Sequence, residues 1–168
     1  GVSRGEVALP LGQVYMLQGK HETLLERITP GGLPPALQAE VLILRANAQS
    51  ERRMVSAATR SLEEARAADP SSINARLSQA ALAIRTGDLA RATELSDEAL
   101  KLALRSNCFY VGALGSRRNH AKRTERLGAA GFSAKEIGLI HCPIGVNIGA
   151  KSPQEIAISI MAEVVLAL

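Results

Sequence analysis

The spacing of two helix-breaking glycines is the feature that most constrains the fold of this chain. Gly19-Lys20 and Gly87-Asp88 occupy similar positions after helical stretches and lie two steps of 34 residues apart. A repeat of 20–50 residues is typical of arrays of small, stacked structural units. The spacing therefore predicts an intermediate unit that turns at Arg53, halfway between the two glycines.

Small residues recur with the same period. Ala58 and Ala65 in the second predicted helix pair correspond to Ala92 and Ala99 in the third pair. Alanines at such positions allow two antiparallel helices to approach closely, and Asp69-Pro70 marks the end of a unit. We expect three helix pairs, near residues 5–38, 39–72 and 73–106.

This period is that of the tetratricopeptide (TPR) repeat, and residues 1–107 resemble the TPR superfamily. The stretch LLERITPGGLPPALQAEVLILRANA (24–48) is similar to TPR proteins of bacterial exopolysaccharide and exosortase systems. The resemblance implies a concave groove that binds a protein partner or peptide. The alternative is a packing scaffold whose groove is filled by the C-terminal segment.

Composition excludes several classes of protein. Only 2% of the residues are aromatic and none is Trp, so the core must be built from aliphatic side chains, which favours closely packed helices. A net charge of +4 is too small an excess to indicate nucleic acid. Two distant cysteines favour a reduced, cytoplasmic chain. No apolar run is long enough to predict a membrane span.

The pattern changes after residue 107. Phe109, Tyr110 and Val111 predict a short buried strand, and Ser116 is a candidate N-cap for a helix that ends near Ala130. Capping boxes at Ser133–Glu136 and Ser152–Glu155 predict two further helix starts. The last helix carries apolar residues on most of its faces, so we expect it to be buried.

The turn between the strand and the basic helix is the candidate binding site. It contains Gly112, Gly115, Ser116, Arg117 and Arg118. Glycines let the backbone approach an anion, N–H groups at a helix start point toward it, and arginines add charge. The alternative is a tight turn followed by a solvated basic helix face. The nearby GVNIGAKS (145–152) lacks the spacing of a P-loop. We predict no metal ligands and no catalytic residues.

Residues 108–168 resemble the end of the XdhC/CoxI family, which are maturation factors of xanthine dehydrogenase. The stretches FYVGALGSRRNHAKRTERL (109–127) and IHCPIGVNIGAKSPQEIAISIMAEVV (140–165) carry the resemblance. It implies part of a Rossmann-like domain, contact with molybdopterin or a nucleotide, and a molybdenum hydroxylase as partner. The chain has no GxGxxG, so the first half of the Rossmann fold, which would supply neighbouring strands, is absent. The strand at 109–111 would then be paired by a partner or a homo-oligomer, would pack differently, or would belong to a fusion of unrelated pieces.

These observations predict a mainly α protein, with a TPR-like helical repeat array at 1–107 and a small, partial Rossmann-like α/β segment at 108–168. We expect a non-catalytic accessory or scaffold protein that handles molybdenum cofactor during maturation of a molybdenum hydroxylase. The alternative is a TPR protein-protein interaction module of an exopolysaccharide or cell-envelope system, which would allow a periplasmic location.

Overall fold

The structure is a computed structural model that describes residues 4–168, with side chains described from residue 7. The described part contains nine helices and two short strands. In chain order they are α1 (Arg4–Leu17), α2 (His21–Arg27), α3 (Pro35–Glu51), α4 (Val55–Ala68), α5 (Ile73–Thr86), α6 (Leu89–Leu104), β1 (Val111–Gly112), α7 (Arg117–Ala129), α8 (Ala134–Ile137), β2 (Ile140–His141) and α9 (Pro153–Leu166). The prediction of a mainly helical chain is confirmed, and the two strands form a small parallel sheet.

The chain forms two compact units that divide after Ala99, within α6. The first unit holds α1 to α5 and most of α6, and the second holds both strands and the remaining helices. The domain boundary expected between residues 107 and 108, the three unit ranges and the TPR assignment stay predictions. Among the helices of residues 4–168, none is long and apolar enough to cross a bilayer.

The predicted turns of the first unit recur every 34 residues. Gly19 has φ +67°, Arg53 has φ +59° and Gly87 has φ +84°, so each lies in the left-handed region. They separate α1 from α2, α3 from α4 and α5 from α6. The turn expected at Arg53 is confirmed, although a residue with a Cβ adopts this conformation at a cost.

Two side-chain hydrogen bonds link positions that are also 34 residues apart. Asn74 Nδ2 donates to Glu40 Oε1 at 3.0 Å, and Arg85 Nη1 donates to Glu51 Oε1 at 2.6 Å. Both bonds run from α5 to α3. The first helices of two successive helix pairs are therefore joined at equivalent positions.

Buried alanines allow the close packing that the sequence predicts. Ala58 and Ala65 are fully buried, and Ala92 and Ala99 are almost fully buried. One core of the first unit combines such alanines with aliphatic side chains. Its members are Ala39, Leu42, Ile43, Ala46, Ala58, Leu62, Ala65 and Ala75.

The second unit has its own core around a two-stranded parallel sheet. Val111 pairs with Ile140, and Gly112 pairs with His141. The strand at 109–111, whose pairing the sequence left open, thus has a neighbour within the chain. The buried core residues are Leu104, Ala113, Leu127, Phe132, Ile137 and Ile140.

The predicted helix starts of this unit are confirmed. The Ser116 side chain accepts from Asn119 N and caps α7. Capping boxes with both reciprocal bonds form at Ser133–Glu136 and Ser152–Glu155.

Two expectations about burial are wrong. The paired strand begins at Val111, and Phe109 is 65% exposed, because β2 is only two residues long and offers no partner further back. Along α9 only Ser159 is buried, whereas Ile158, Met161 and Val165 are exposed. A sheet of two short strands is too small to cover an apolar helix on most of its faces.

Candidate functional site

The carboxyl ends of the two parallel strands bring two loops together. Ala113 to Ser116 follow β1, and Cys142 to Ala150 follow β2. Ala113 N donates to His141 O at 3.0 Å and continues the pairing past the end of β1. Ligands of open α/β folds bind at this edge of the sheet. The two loops are therefore the natural place to look for a site.

Arg123 of α7 connects these loops. Its Nη2 donates to Leu114 O at 3.3 Å, and its Nη1 donates to Cys142 Sγ at 3.6 Å. The Cys142 thiol in turn donates to Gly115 O at 3.8 Å. Arg123 thus holds the turn after β1 beside the start of the loop after β2.

A cleft of about 390 Å³ opens beside the second loop. The loop from Pro143 to Ala150 forms most of its lining, and Ile156 and Ser159 of α9 contribute the rest together with Arg117. Within the described part of the chain, Arg117 is the one charged residue of this lining. The cleft therefore combines apolar walls with a single guanidinium group.

The structure brings one of the five predicted site residues to this cleft. Arg117, the first residue of α7, lines it, whereas Gly115, Ser116 and Arg118 do not. Gly112 does not line the cleft either, but a Cβ at this position would collide with the Ile144 side chain of the loop. The Ser116 hydroxyl oxygen is engaged by its cap bond to Asn119 N. Anion binding by these residues stays a proposal.

Glu163 of α9 binds the loop that follows β2 through hydrogen bonds. Its Oε2 accepts from Gly145 N at 2.6 Å and from Tyr110 Oη at 2.5 Å, and its Oε1 lies 3.2 Å from His141 Nδ1. The Tyr110 and His141 rings stack, with centroids 4.5 Å apart. We call Tyr110, His141, Gly145 and Glu163 the Glu163 cluster.

Second contacts fix the same loop against α9. Gly145 has φ +97°, and a Cβ there would collide with Ser159 Oγ. Val146 N donates to Ser159 O at 3.1 Å. Ser159 and Glu163, one helical turn apart, therefore position the loop that forms the cleft.

The cluster changes the acidity of two of its members. Hydrogen bonds from Tyr110 and from the backbone of Gly145 lower the pKa of Glu163 below its ordinary value. Burial and the neighbouring Glu163 carboxylate raise the pKa of Tyr110 to about 12. At neutral pH Glu163 is thus an anion and Tyr110 a neutral donor.

The chemical character of the cleft indicates the kind of ligand that it could hold. A guanidinium group beside apolar walls can hold a ligand that has an anionic group and a flat, apolar body. Across residues 4–168, no group of three or more His, Cys, Asp or Glu side chains could hold a metal ion. His120 Nδ1 is buried and has no hydrogen-bond partner in the same range.

Sequence reasoning missed the Glu163 cluster and the role of the second loop. Tyr110, His141 and Glu163 are far apart in the chain, and Glu163 is one polar residue in an apolar helix. That isolated carboxylate was the available signal, because a charged side chain on an apolar helix usually has a partner.

Comparison with known proteins gives the chain a family. The family model of the XdhC Rossmann domain matches residues 33–164. Among curated proteins, YqeB of Escherichia coli K12, an uncharacterized protein, is 40% identical over 67 residues, which are 40% of this chain and 12% of YqeB. The molybdenum cofactor insertion chaperone PaoD of the same organism is 38% identical over 65 residues, which are 39% of this chain and 20% of PaoD.

A third relative, from Bacillus subtilis 168, is one of the subunits of a probable xanthine dehydrogenase. It is 39% identical over 59 residues, which are 35% of this chain and 16% of the relative. The chain thus spans a fifth or less of the length of these three relatives. The family match covers most of the chain and includes both strands and the loops of the cleft. The chain belongs to the XdhC Rossmann domain family.

Proposed function

We propose that this chain is a non-catalytic accessory protein that handles molybdenum cofactor during the maturation of a molybdenum hydroxylase. One observation carries the proposal: in a member of the XdhC Rossmann domain family, Arg117 lines a cleft at the carboxyl edge of the sheet. One relative, PaoD, is by name a molybdenum cofactor insertion chaperone. A cytoplasmic location is part of the proposal.

The chemistry of the cleft fits such a ligand. Molybdopterin is a flat heterocycle that carries a phosphate, and a nucleotide has the same two parts. Arg117 would bind the phosphate through charge-assisted hydrogen bonds, and Arg118 would add positive charge nearby. Ile144, Val146 and Ile156 would contact the flat body. Gly115 and Ser116 would keep the turn close enough for backbone contact.

Binding of the ligand to arginine variants tests the proposal. Molybdopterin and a guanine nucleotide are titrated separately into the full chain and into the double variant Arg117→Ala plus Arg118→Ala. Loss of charge-assisted hydrogen bonds, at about 1.5–3 kcal/mol each, predicts at least a roughly tenfold weaker affinity. The double variant Lys122→Ala plus Lys135→Ala removes the same charge elsewhere and should bind normally. Equal affinity of the two double variants would exclude the arginines.

The helical unit supports a second candidate function, that of a TPR-like protein-protein interaction module. The bonds from Asn74 to Glu40 and from Arg85 to Glu51 repeat at 34 residues and favour this interpretation. A groove of about 260 Å³ has a lining drawn from α1, α3, α4 and α5. Asn47 of α3 and Ala81 of α5 take equivalent positions in it.

A substitution in this groove tests the second function. If the helical unit binds the partner, Ala81→Glu should weaken the complex of the full chain with a cofactor-free molybdenum hydroxylase, measured by size-exclusion chromatography with light scattering. Ala90→Glu adds the same charge at an exposed position of α6 outside the groove and is the control. A complex that Ala81→Glu leaves intact would remove the groove from the interface.

A further inference from the structure

A second cleft of the first unit has an apolar floor and a polar rim. It lies between α4, α5 and α6 and has a volume of about 240 Å³. Leu62 and Leu95 at its floor are each 2% exposed. Glu63, Asp88 and Arg91 are exposed lining residues at its rim. This cleft shares Leu62 and Leu82 with the groove described above, but Asn47 and Ala81 line only that groove.

The polar atoms of the lining that remain free are mostly acceptors. Thr59 Oγ1 donates to Val55 O, and Thr86 Oγ1 donates to Leu82 O, both at 3.1 Å, so these hydroxyl hydrogens are used. Gln79 Oε1 is buried, and no residue in the described range 4–168 donates to it. A buried acceptor without a donor is costly, and an occupant that supplies the donor would remove that cost.

The charged groups of the rim also favour an occupant that donates hydrogen bonds. No described residue pairs with the Glu63 carboxylate. Asp88 uses Oδ1 to accept from Arg91 N at 3.0 Å. The Arg91 guanidinium group is held by Glu94, with Nη1 and Oε2 3.1 Å apart. The rim therefore offers two carboxylates to an occupant, while its own cation is paired with Glu94.

We propose that this cleft binds a basic peptide segment of a protein partner and takes up one of its Lys or Arg side chains. The aliphatic stem lies on Leu62 and Leu95, and the cationic head donates to Gln79 Oε1 and to the rim carboxylates. Long cationic side chains bury their stems on apolar surface and keep the charged head at its polar edge. The inference rests on the second candidate function, and it names the chemistry that the partner must carry.

Peptide titrations into the full chain test this inference. The probe is a capped nonapeptide of alternating Ala and Lys, and the reference peptide has norleucine, which keeps most of the stem and lacks the charge, at every Lys. Binding is followed by amide chemical shifts of the protein. We expect the Lys peptide to bind at least five times more tightly, to shift the Gln79 side-chain amide, and to weaken on going from about 50 to about 500 mM NaCl, where charges are screened.

Conservative variants locate the site. Glu63→Gln plus Asp88→Asn removes both rim charges, and Asn preserves the N-cap of α6. This variant should lose most of the preference for Lys over norleucine. Glu64→Gln changes the next residue of α4, which does not line the cleft, and should keep the preference.

Each outcome has a distinct meaning. If both peptides bind equally, or if the rim variant keeps the preference for Lys, the cationic site is wrong but the helical unit still binds peptides. If neither peptide shifts the cleft amides, the inference is also overturned. The complex with a molybdenum hydroxylase and its response to Ala81→Glu then decide the second candidate function separately.

Discussion

Removal of the Tyr110 hydroxyl is a quantitative test of the Glu163 cluster. Burial and the carboxylate that accepts from Tyr110 Oη raise the pKa of this phenol from 10 to about 12. That shift describes mainly the cost of ionising the phenol in the folded chain, so the stability of the neutral form rests on the hydrogen bond itself. A hydrogen bond to a charged group contributes about 1.5–3 kcal/mol. We therefore expect Tyr110→Phe to lower the free energy of unfolding of the second unit by about 1.5–3 kcal/mol.

The sign of the pH dependence follows from the direction of the shift. Because the pKa is higher in the folded chain, the contribution is complete below pH 10 and is lost as the pH rises from 10 to about 12. The chain has two tyrosines, so the ultraviolet titration of wild type minus that of Tyr110→Phe isolates Tyr110. Tyr15→Phe makes the same chemical change in the first unit and should leave this titration step in place.

Two results would refute the reasoning. One is a Tyr110 midpoint near 10, which would mean that the phenol is neither buried nor bonded to the carboxylate. The other is a change in unfolding free energy below about 0.5 kcal/mol in urea denaturation, since a hydrogen bond to a charged carboxylate contributes more than that.

Three further perturbations test the same structure. Gly145→Ala should destabilise the second unit by about 2 kcal/mol or more in urea denaturation, because the added Cβ would collide with Ser159 and the backbone has a positive φ. Gly149→Ala is the control: its φ is +71° but the space around it is open, so it should cost about 1 kcal/mol. Glu163→Gln should abolish the part of the stability that wild type loses as pH falls through the lowered pKa of Glu163, and an unchanged acid profile would contradict this. Arg53→Gly should not destabilise the first unit, because glycine adopts the positive φ of residue 53 without strain. Arg60→Gly, within α4, should lower the melting temperature of the first unit through a loss of about 1 kcal/mol.

Local chemistry made much of the fold predictable from the sequence. The caps at Ser116, Ser133 and Ser152 depend on side chains within three residues of the helix start. The turn at Arg53 was predicted from the 34-residue period alone, because arginine itself does not favour a turn. In both cases the decisive contacts are close in sequence or repeat along it.

The parts that could not be predicted depend on contacts distant in sequence. The length of β1 was set by β2, about 29 residues later, a partner that no local pattern identifies. The exposure of α9 depends on how little sheet is present to cover it. For the candidate site, Arg117 was identified by its charge at a helix start, but the loop at 143–150 was judged only against a P-loop pattern and its cleft was missed.

The two bonds between α3 and α5 run in the same direction. Glu40 and Glu51 of α3 are both acceptors, and Asn74 and Arg85 of α5 are both donors. If α3 packed in the same register against another copy of itself, carboxylates would oppose carboxylates. Two α5 helices would likewise place Arg85 against Arg85. The donor and acceptor positions therefore match in the observed register, and a slip of one helix along the other would separate both pairs.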